Sequence, residues 1–333
     1  MSTVSLPRSI TRVMREIPAP HATPPVEGLR AHVASWVART GSGEGALAGW
    51  EGADYEDLIS RMFPQAEPPI LEAAAGAVLW LFLVDGHLDP GGGGDDPGYS
   101  AGFAERTTEL RTAGAHPARP VDPLLHYPWE AARWPSLTCH GSWHTRFAGH
   151  LAEFATSMHH EVLDRAAGRT PDLDEYVERR RTTSGWPILA DFAELAASPY
   201  SVGSLAGFAD HAALLREGGN VTFAVNDLLS LPKEHAAGEY HNLVMVAARR
   251  NSWSLERALE WTDQWLSERL DAYLDRRQAL LVAADEAGRG AGVRPQVHAL
   301  DAVVRGTLDW SLETGRYRLD PTSCRERRKD PEG

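Results

Sequence analysis

Asn226, Ser230 and Glu234 stand at i, i+4 and i+8 in the run Asn226-Asp227-Leu228-Leu229-Ser230-Leu231-Pro232-Lys233-Glu234. On a helix that spacing stacks an amide oxygen, a hydroxyl and a carboxylate along one face. The row is about 12 Å long at 1.5 Å rise per residue. These are hard oxygen ligands, suited to Mg²⁺ rather than zinc. Magnesium takes a few protein oxygens and fills its octahedron with water and phosphate. Lys233 lies beside the row, where it can meet a phosphate as a point charge. Such a triplet alone is more often a solvated polar face. The flanks argue otherwise, because Thr222-Phe223-Ala224-Val225 and Leu243-Val244-Met245-Val246 are largely apolar. The polar row belongs to a helix embedded in a core.

Three further groups can join that chemistry. Asp85 and Asp89 share a helix face at the end of the apolar run Leu71 to Val84. Carboxylates at a helix C-terminus oppose the macrodipole, and a bound cation removes the objection. Asp95 and Asp96 form another pair but sit among glycines. Arg179-Arg180-Arg181-Thr182-Thr183-Ser184-Gly185 is a basic run that ends on a helix breaker, and taken alone it reads as a solvated basic face. Near the end of the chain, Arg316 and Tyr317 offer a planar cation and a hydroxyl donor to phosphate oxygens. A competing group is His140 and His144 at i, i+4, with Cys139 adjacent and His159-His160 downstream. That spacing suits zinc. No carboxylate base stands between the two histidines, so scattered, hydrogen-bonded histidines are the better account.

The run Asn226 to Val244 resembles the second metal motif of the bacterial class I terpene synthases. Asp85-Gly86-His87-Leu88-Asp89 resembles that family's aspartate-rich first motif, with Gly86 in place of the second aspartate. Arg179 to Gly185 is similar to the family's RRxTxG segment, about 45 residues before the Asn-Ser-Glu row. Arg316-Tyr317 resembles its C-terminal Arg-Tyr pair. The resemblance implies an all-α, single-domain helical bundle with a central active-site cavity. It implies Asp85, Asp89, Asn226, Ser230 and Glu234 as ligands to three Mg²⁺ ions. It implies Arg181, Lys233, Arg316 and Tyr317 on a diphosphate, with Arg181 the sensor, Ser184 a linker and Gly185 the effector. A break at Gly185 leaves a carbonyl free to face a developing cation. The implied reaction is ionisation of a prenyl diphosphate and cyclisation of the carbocation, with farnesyl diphosphate (C15) the expected substrate and a sesquiterpene the product. Candidate cavity aromatics are Trp80, Phe82, Phe223 and Trp310, the last placed where a longer chain would be refused. Geranylgeranyl diphosphate is the alternative substrate. Chain-elongating prenyl transfer is disfavoured, since that family carries two aspartate-rich motifs. A non-catalytic diphosphate-binding protein on the same fold is the alternative of another class.

The elements that must position these groups read as helices. The chain has 333 residues, 43% hydrophobic and 24% charged, with a net charge of −13. That is ample for a sizeable core. The negative balance argues against nucleic acid or an acidic membrane as partner. A diphosphate site must therefore be locally basic or metal-filled. Two cysteines make no disulfide framework, which fits a cytoplasmic protein, with a monomer or a homodimer expected. Ala73 to Val84 is too short to span a bilayer. Residues 1–26 read as a partly ordered, Pro-rich arm, 27–320 as one α domain, and 321–333 as a disordered charged tail. Apolar residues at helical spacing predict helices over 28–38, 55–62, 71–84, 101–111, 142–167, 172–181, 188–197, 200–215, 255–284 and 293–312. Pro90 to Gly98 reads as a flexible loop, with Gly91 to Gly94 a candidate mover, and Pro117 to Pro128 as a connector.

Overall fold

A computed structural model describes residues 6–19, 28–40, 52–89, 95–112, 120–131, 141–198 and 202–317. The Gly91 to Gly94 loop, Cys139, His140, Cys324 and the tail 321–333 lie outside the described residues. Among those described there are thirteen α-helices and no strand. In chain order they are α1 (Arg8–Glu16), α2 (Leu29–Thr40), α3 (Tyr55–Met62), α4 (Pro68–Leu88), α5 (Pro97–Thr112), α6 (His126–Ala131) and α7 (Gly141–Ala166). Then follow α8 (Leu173–Thr183), α9 (Trp186–Ala197), α10 (His211–Ala237), α11 (Leu243–Asn251), α12 (Leu255–Glu286) and α13 (Gly290–Glu313). Helices α3, α4, α9, α10 and α13 pack on one another around a common centre. Helices α2, α7 and α12 pack against them from outside, and α5 packs on α7.

Local chemistry sets the ends of the helices that matter. Pro68 opens α4, where its missing N–H costs nothing. Asp172 caps α8 by accepting from Glu175 N at 2.8 Å, and Asn242 caps α11 by accepting from Val244 N at 3.0 Å. Gly238 stops α10 in the left-handed region, with φ of 76°, a conformation that glycine alone adopts freely. Helix α4 is also long and apolar enough to cross a membrane, but most of it is buried inside the bundle. Its carboxyl end carries Asp85.

The expected arm carries a helix, and one expectation changes. The arm over 1–26 contains α1, whose Ile10 and Val13, with Ile17 just beyond it, are buried at helical spacing. Ser9 Oγ donates to Asp263 at 2.5 Å and Arg12 pairs with Asp271 at 2.6 Å, so α1 is fastened to α12. The helix expected over 200–215 begins only at His211, and residues 202–207 form turns with Gly203 and Gly207 at positive φ.

Candidate active site

A cavity of about 210 Å³ opens between α3, α4, α8, α10 and α13. Its mouth is polar and its floor apolar. Asp85, Asp89, Asn226, Lys233, Glu234, Arg316 and Tyr317 line it, as do Phe82, Phe223 and Trp310. Three of the four separated sequence groups therefore meet there, and the Arg179 to Gly185 segment joins them through the expected Ser184 but through Arg180 and Thr183 rather than Arg181.

The row on α10 is held by hydrogen bonds at every member. Asn226 donates from its amide to Tyr317 Oη at 2.6 Å and accepts on Oδ1 from Arg180 Nη2 at 2.8 Å. Ser230 is buried, and its hydroxyl donates to the Asn226 carbonyl at 2.8 Å. That hydroxyl must turn from the carbonyl to meet an ion. Glu234 accepts from Asn242 Nδ2 at 2.8 Å. Burial, and then the charge of Asp227, pushes the Glu234 carboxyl up to about 7.

The opposite wall is the carboxyl end of α4. Asp85 lies in its last turn and Asp89 caps it, donating N–H to the Asp85 carbonyl at 2.8 Å. Burial, and then Asp85 and Glu239, raise the Asp89 carboxyl to about 8. Arg316 Nη2 comes within 3.4 Å of Asp85 Oδ2. The same guanidinium sits 4.6 Å over the Phe82 ring and meets Tyr55 Oη at 3.1 Å. Arg165 on α7 donates to the Leu88 carbonyl, which fixes that helix end. Gly86 is exposed, and a Cβ there would touch nothing within 4 Å. An aspartate would fit in its place.

The donor set suits a divalent cation. Buried carboxyls raised towards neutrality are what a missing counter-charge produces. Among the described residues no three His, Cys, Asp or Glu side chains gather closely enough to hold a metal alone. The Asn226 amide oxygen and Ser230 hydroxyl beside these carboxyls are hard oxygen donors of the kind a divalent cation takes. Of the histidine alternative, His159 is engaged with Ser100 Oγ at 2.8 Å.

Three placements differ from expectation. Arg181 does not line this cavity. Arg180, Thr183 and Ser184 do, at helical spacing, whereas Glu178, Arg181 and Thr182 line a second cavity on another face of α8. One residue is 100° of helix, so only one arginine of the run can face inward. Arg180 is chosen by Asp227, fully buried, whose Oδ1 accepts from Arg180 Nε at 3.0 Å and Nη2 at 2.8 Å. Arg181 instead donates to Asn220 at 3.0 Å and pairs with Glu178. Gly185 does break the helix, at φ of 75°, but its carbonyl accepts from Leu189 N at 3.0 Å. Among the carbonyls at the break, that of Thr183 also lacks its usual helical donor, because the residue four ahead is Pro187, which has no N–H. Trp80 faces away from the cavity. It stacks on Tyr127 at 5.8 Å and donates to the Leu124 carbonyl at 2.7 Å.

Two functional neighbours escape a reading of the sequence alone. Tyr55 stacks on Phe82 at 4.4 Å and on Trp310 at 5.6 Å, backing two of the rings that line the cavity, and reaches Arg316. Asp227 also accepts from Tyr176 Oη at 2.6 Å and from Leu243 N at 2.9 Å, tying α8, α10 and α11 together. A charged residue inside an apolar helix is the signal for Asp227, since a buried carboxylate requires partners. Tyr55 carries no such signal.

The geometry has known counterparts. The profile of terpene synthase family 2, C-terminal metal binding, matches residues 77–272, more than half of the chain. Pristinol synthase of Streptomyces pristinaespiralis is 29% identical over 312 residues, covering 90% of this chain and 83% of its own. A (+)-T-muurolol synthase, described as (2E,6E)-farnesyl diphosphate cyclizing, from Roseiflexus castenholzii is 27% identical over 79% of this chain and 80% of its own. A cucumene synthase variant superimposes with a TM-score of 0.76 at 25% identity, covering 91% of this chain and 100% of that one. A polar, acid-walled mouth over an aromatic floor, on an all-helical bundle and within that profile, has one reading: the chain belongs to terpene synthase family 2 and is a class I terpene synthase of the bacterial type.

Proposed function

We propose that the enzyme ionises farnesyl diphosphate and cyclises the resulting cation to a sesquiterpene, releasing diphosphate. The observation that carries this reading is the cavity itself, with phosphate-binding and carboxylate groups at one end and Phe82, Phe223 and Trp310 at the other. Asp85, Asp89, Asn226, Ser230 and Glu234 would hold Mg²⁺, three ions in all, and bound there the ions would supply positive charge to the leaving diphosphate. Lys233, Arg316 and Tyr317 donate hydrogen bonds to the same oxygens. Burial and then the neighbouring Arg316 lower the Lys233 ammonium, and an anion bound there would favour its charged form. Arg180 supplies the arginine of the α8 segment in place of Arg181. It shares Asn226 Oδ1, so binding at Asn226 and the posture of Arg180 are linked.

The allyl cation must then be kept from water. Phe82, Phe223 and Trp310 line the apolar end, and a ring face turned to a desolvated cation is worth about 2 kcal/mol. The Thr183 carbonyl adds a dipole at the break. The two-cysteine composition supports a cytosolic enzyme. Purified protein given Mg²⁺ and farnesyl diphosphate should yield a cyclic C15 hydrocarbon or alcohol by gas chromatography. EDTA, or Glu234→Gln, should abolish it with the circular dichroism unchanged. A folded wild type that releases no diphosphate rejects the reaction.

A further inference from the structure

Trp186 follows Gly185 at the break and opens α9, with only 3% of its surface exposed. Its indole lies against two consecutive glycines in the middle of α10. A Cβ at Gly218 would fall 2.5 Å from Cζ2 of the six-membered ring, and one at Gly219 would fall 2.8 Å from Cδ1 of the five-membered ring. Two glycines inside a helix cost about 1 kcal/mol each against alanine. Neither has a positive φ, so backbone freedom does not explain them. Room for the indole does. The ring also borders the second cavity, about 320 Å³, beside Arg181, Thr182 and Asp191. Its Nε1 is buried without a hydrogen-bond partner, a loss of about 1–3 kcal/mol that a phenyl ring would not carry. The indole therefore fills a shape at the expense of its own polar group.

That shape joins two parts of the machinery. Gly218, Thr222 and Asn226 are i, i+4 and i+8 on α10, and Thr222 and Asn226 both line the cavity. On the other side of the break, Gly185 itself rests on Leu81 of α4, where a Cβ would lie 2.6 Å from Cδ1. We propose that Trp186, seated on Gly218 and Gly219, is a positioning residue for cyclisation. It locks the α8–α9 break to the metal-binding helix and so fixes where Thr183 and Ser184 meet the reacting chain. Trp186 does not line the substrate cavity, so it acts through the backbone of the break. The role rests on the reaction proposed above. Its loss should leave ionisation possible and spoil the fate of the cation.

The test uses Gly218→Ala, Trp186→Phe and the double variant, with Trp186→Ala as a fourth chain. Product profile, kcat, KM and melting temperature are measured with farnesyl diphosphate and Mg²⁺. Gly218→Ala places a methyl 2.5 Å from Cζ2 and displaces the indole. It should lower the main product's share at least about twofold in favour of early-quenched alcohols, and lower kcat about tenfold with KM within about twofold. Trp186→Phe lacks the Cζ2 and Cη2 atoms that meet this methyl, so the double variant should regain most of the wild-type profile. A merely structural contact would shift the melting temperature and leave the profile unmoved, and that result overturns the proposal. Additive losses without rescue overturn it as well. Should Gly218→Ala fail to fold, Trp186→Ala decides, since it empties the seat without a clash; an unaltered profile there again rejects the role. A wild type without any product overturns the reaction and the role together, whereas wild-type product with unmoved variants overturns the role alone.

Discussion

Asp89 and Glu234 define what the site does as pH changes. Burial chiefly, helped by Asp85 for one and Asp227 for the other, holds their carboxyls protonated up to about 8 and about 7. In the unfolded chain such groups ionise near pH 4. Between about pH 4 and 8 the folded chain thus carries more protons, and stability falls as pH rises through that window. Metal binding requires the ionised forms and releases the protons. The metal-free melting temperature should fall between about pH 5.5 and 8, less steeply in Asp89→Asn, and Mg²⁺ with diphosphate should raise it more at the upper end. An Asp89→Asn slope equal to wild type rejects the assignment. The arginines give a second contrast. Arg180→Ala strands the Asp227 carboxylate in the core, which costs about 3–5 kcal/mol and should cost stability and turnover together. Arg181→Ala removes contacts to Asn220 and Glu178 outside the cavity and should keep kcat within about tenfold of wild type. An equal loss of kcat in folded Arg181→Ala would show that α8 turns when substrate binds. The ligand row was legible in the sequence because i, i+4 spacing is local. Which arginine faces inward was not, because Asp227, 47 residues away in the chain, makes that choice.

At the scale of elements, the break between α8 and α9 needs both of its neighbours. Gly185 holds φ of 75° against the Leu81 side chain. Gly185→Ala places a methyl 2.6 Å from Leu81 Cδ1 and forces a residue with a Cβ into the left-handed region, a strain of about 1–2 kcal/mol before the clash is counted. Activity should drop sharply, with a fall in melting temperature. Leu81→Ala should recover part of the melting temperature but not the activity, since Leu81 also lines the cavity. Full recovery of both by Leu81→Ala would remove the break from the mechanism. The sequence announced this break through Gly185 and Pro187, whose backbone limits need no partner. It also gave α3, α4, α7, α12 and α13 to within a few residues, because their apolar periodicity is sustained. Helix α1 was lost among prolines: Pro7 and Pro18 frame only about ten residues, and their helical order depends on Asp263 and Asp271 of α12. The segment 202–207 read as helix from its apolar residues, but two glycines at positive φ turn it instead.

For the whole molecule the open question is how long a chain the bundle admits. Depth is set jointly by α3, α4, α9 and α13, through Leu58, Met62, Val78, Leu189, Thr307 and Trp310. From Val78 to Asp85 along α4 is about 10 Å at the helical rise, so a C15 chain must fold back on itself to fit, as cyclisation needs. Trp310 cannot be moved aside cheaply. Its Nε1 donates to the Ala53 carbonyl at 2.8 Å, and its ring is stacked on Tyr55. Helix α13 cannot shift towards α3 either, because Gly306 already meets the Arg61–Met62 backbone, where a Cβ would lie 2.7 Å from the Arg61 carbonyl carbon. The floor is therefore rigid, and rigid floors discriminate by length. Geranyl, farnesyl and geranylgeranyl diphosphates competing in one vessel should give the highest kcat/KM for the C15 substrate. One extra or missing methylene in an apolar pocket is worth about 1–3 kcal/mol, so a whole added isoprene unit against a fixed wall should cost at least about 100-fold. The shorter C10 chain meets no wall and should lose less, because it forfeits only apolar contact. A preference for the C20 substrate would leave the metal-binding mouth in place and would mean that the floor formed by Trp310, Tyr55 and Gly306 opens on binding.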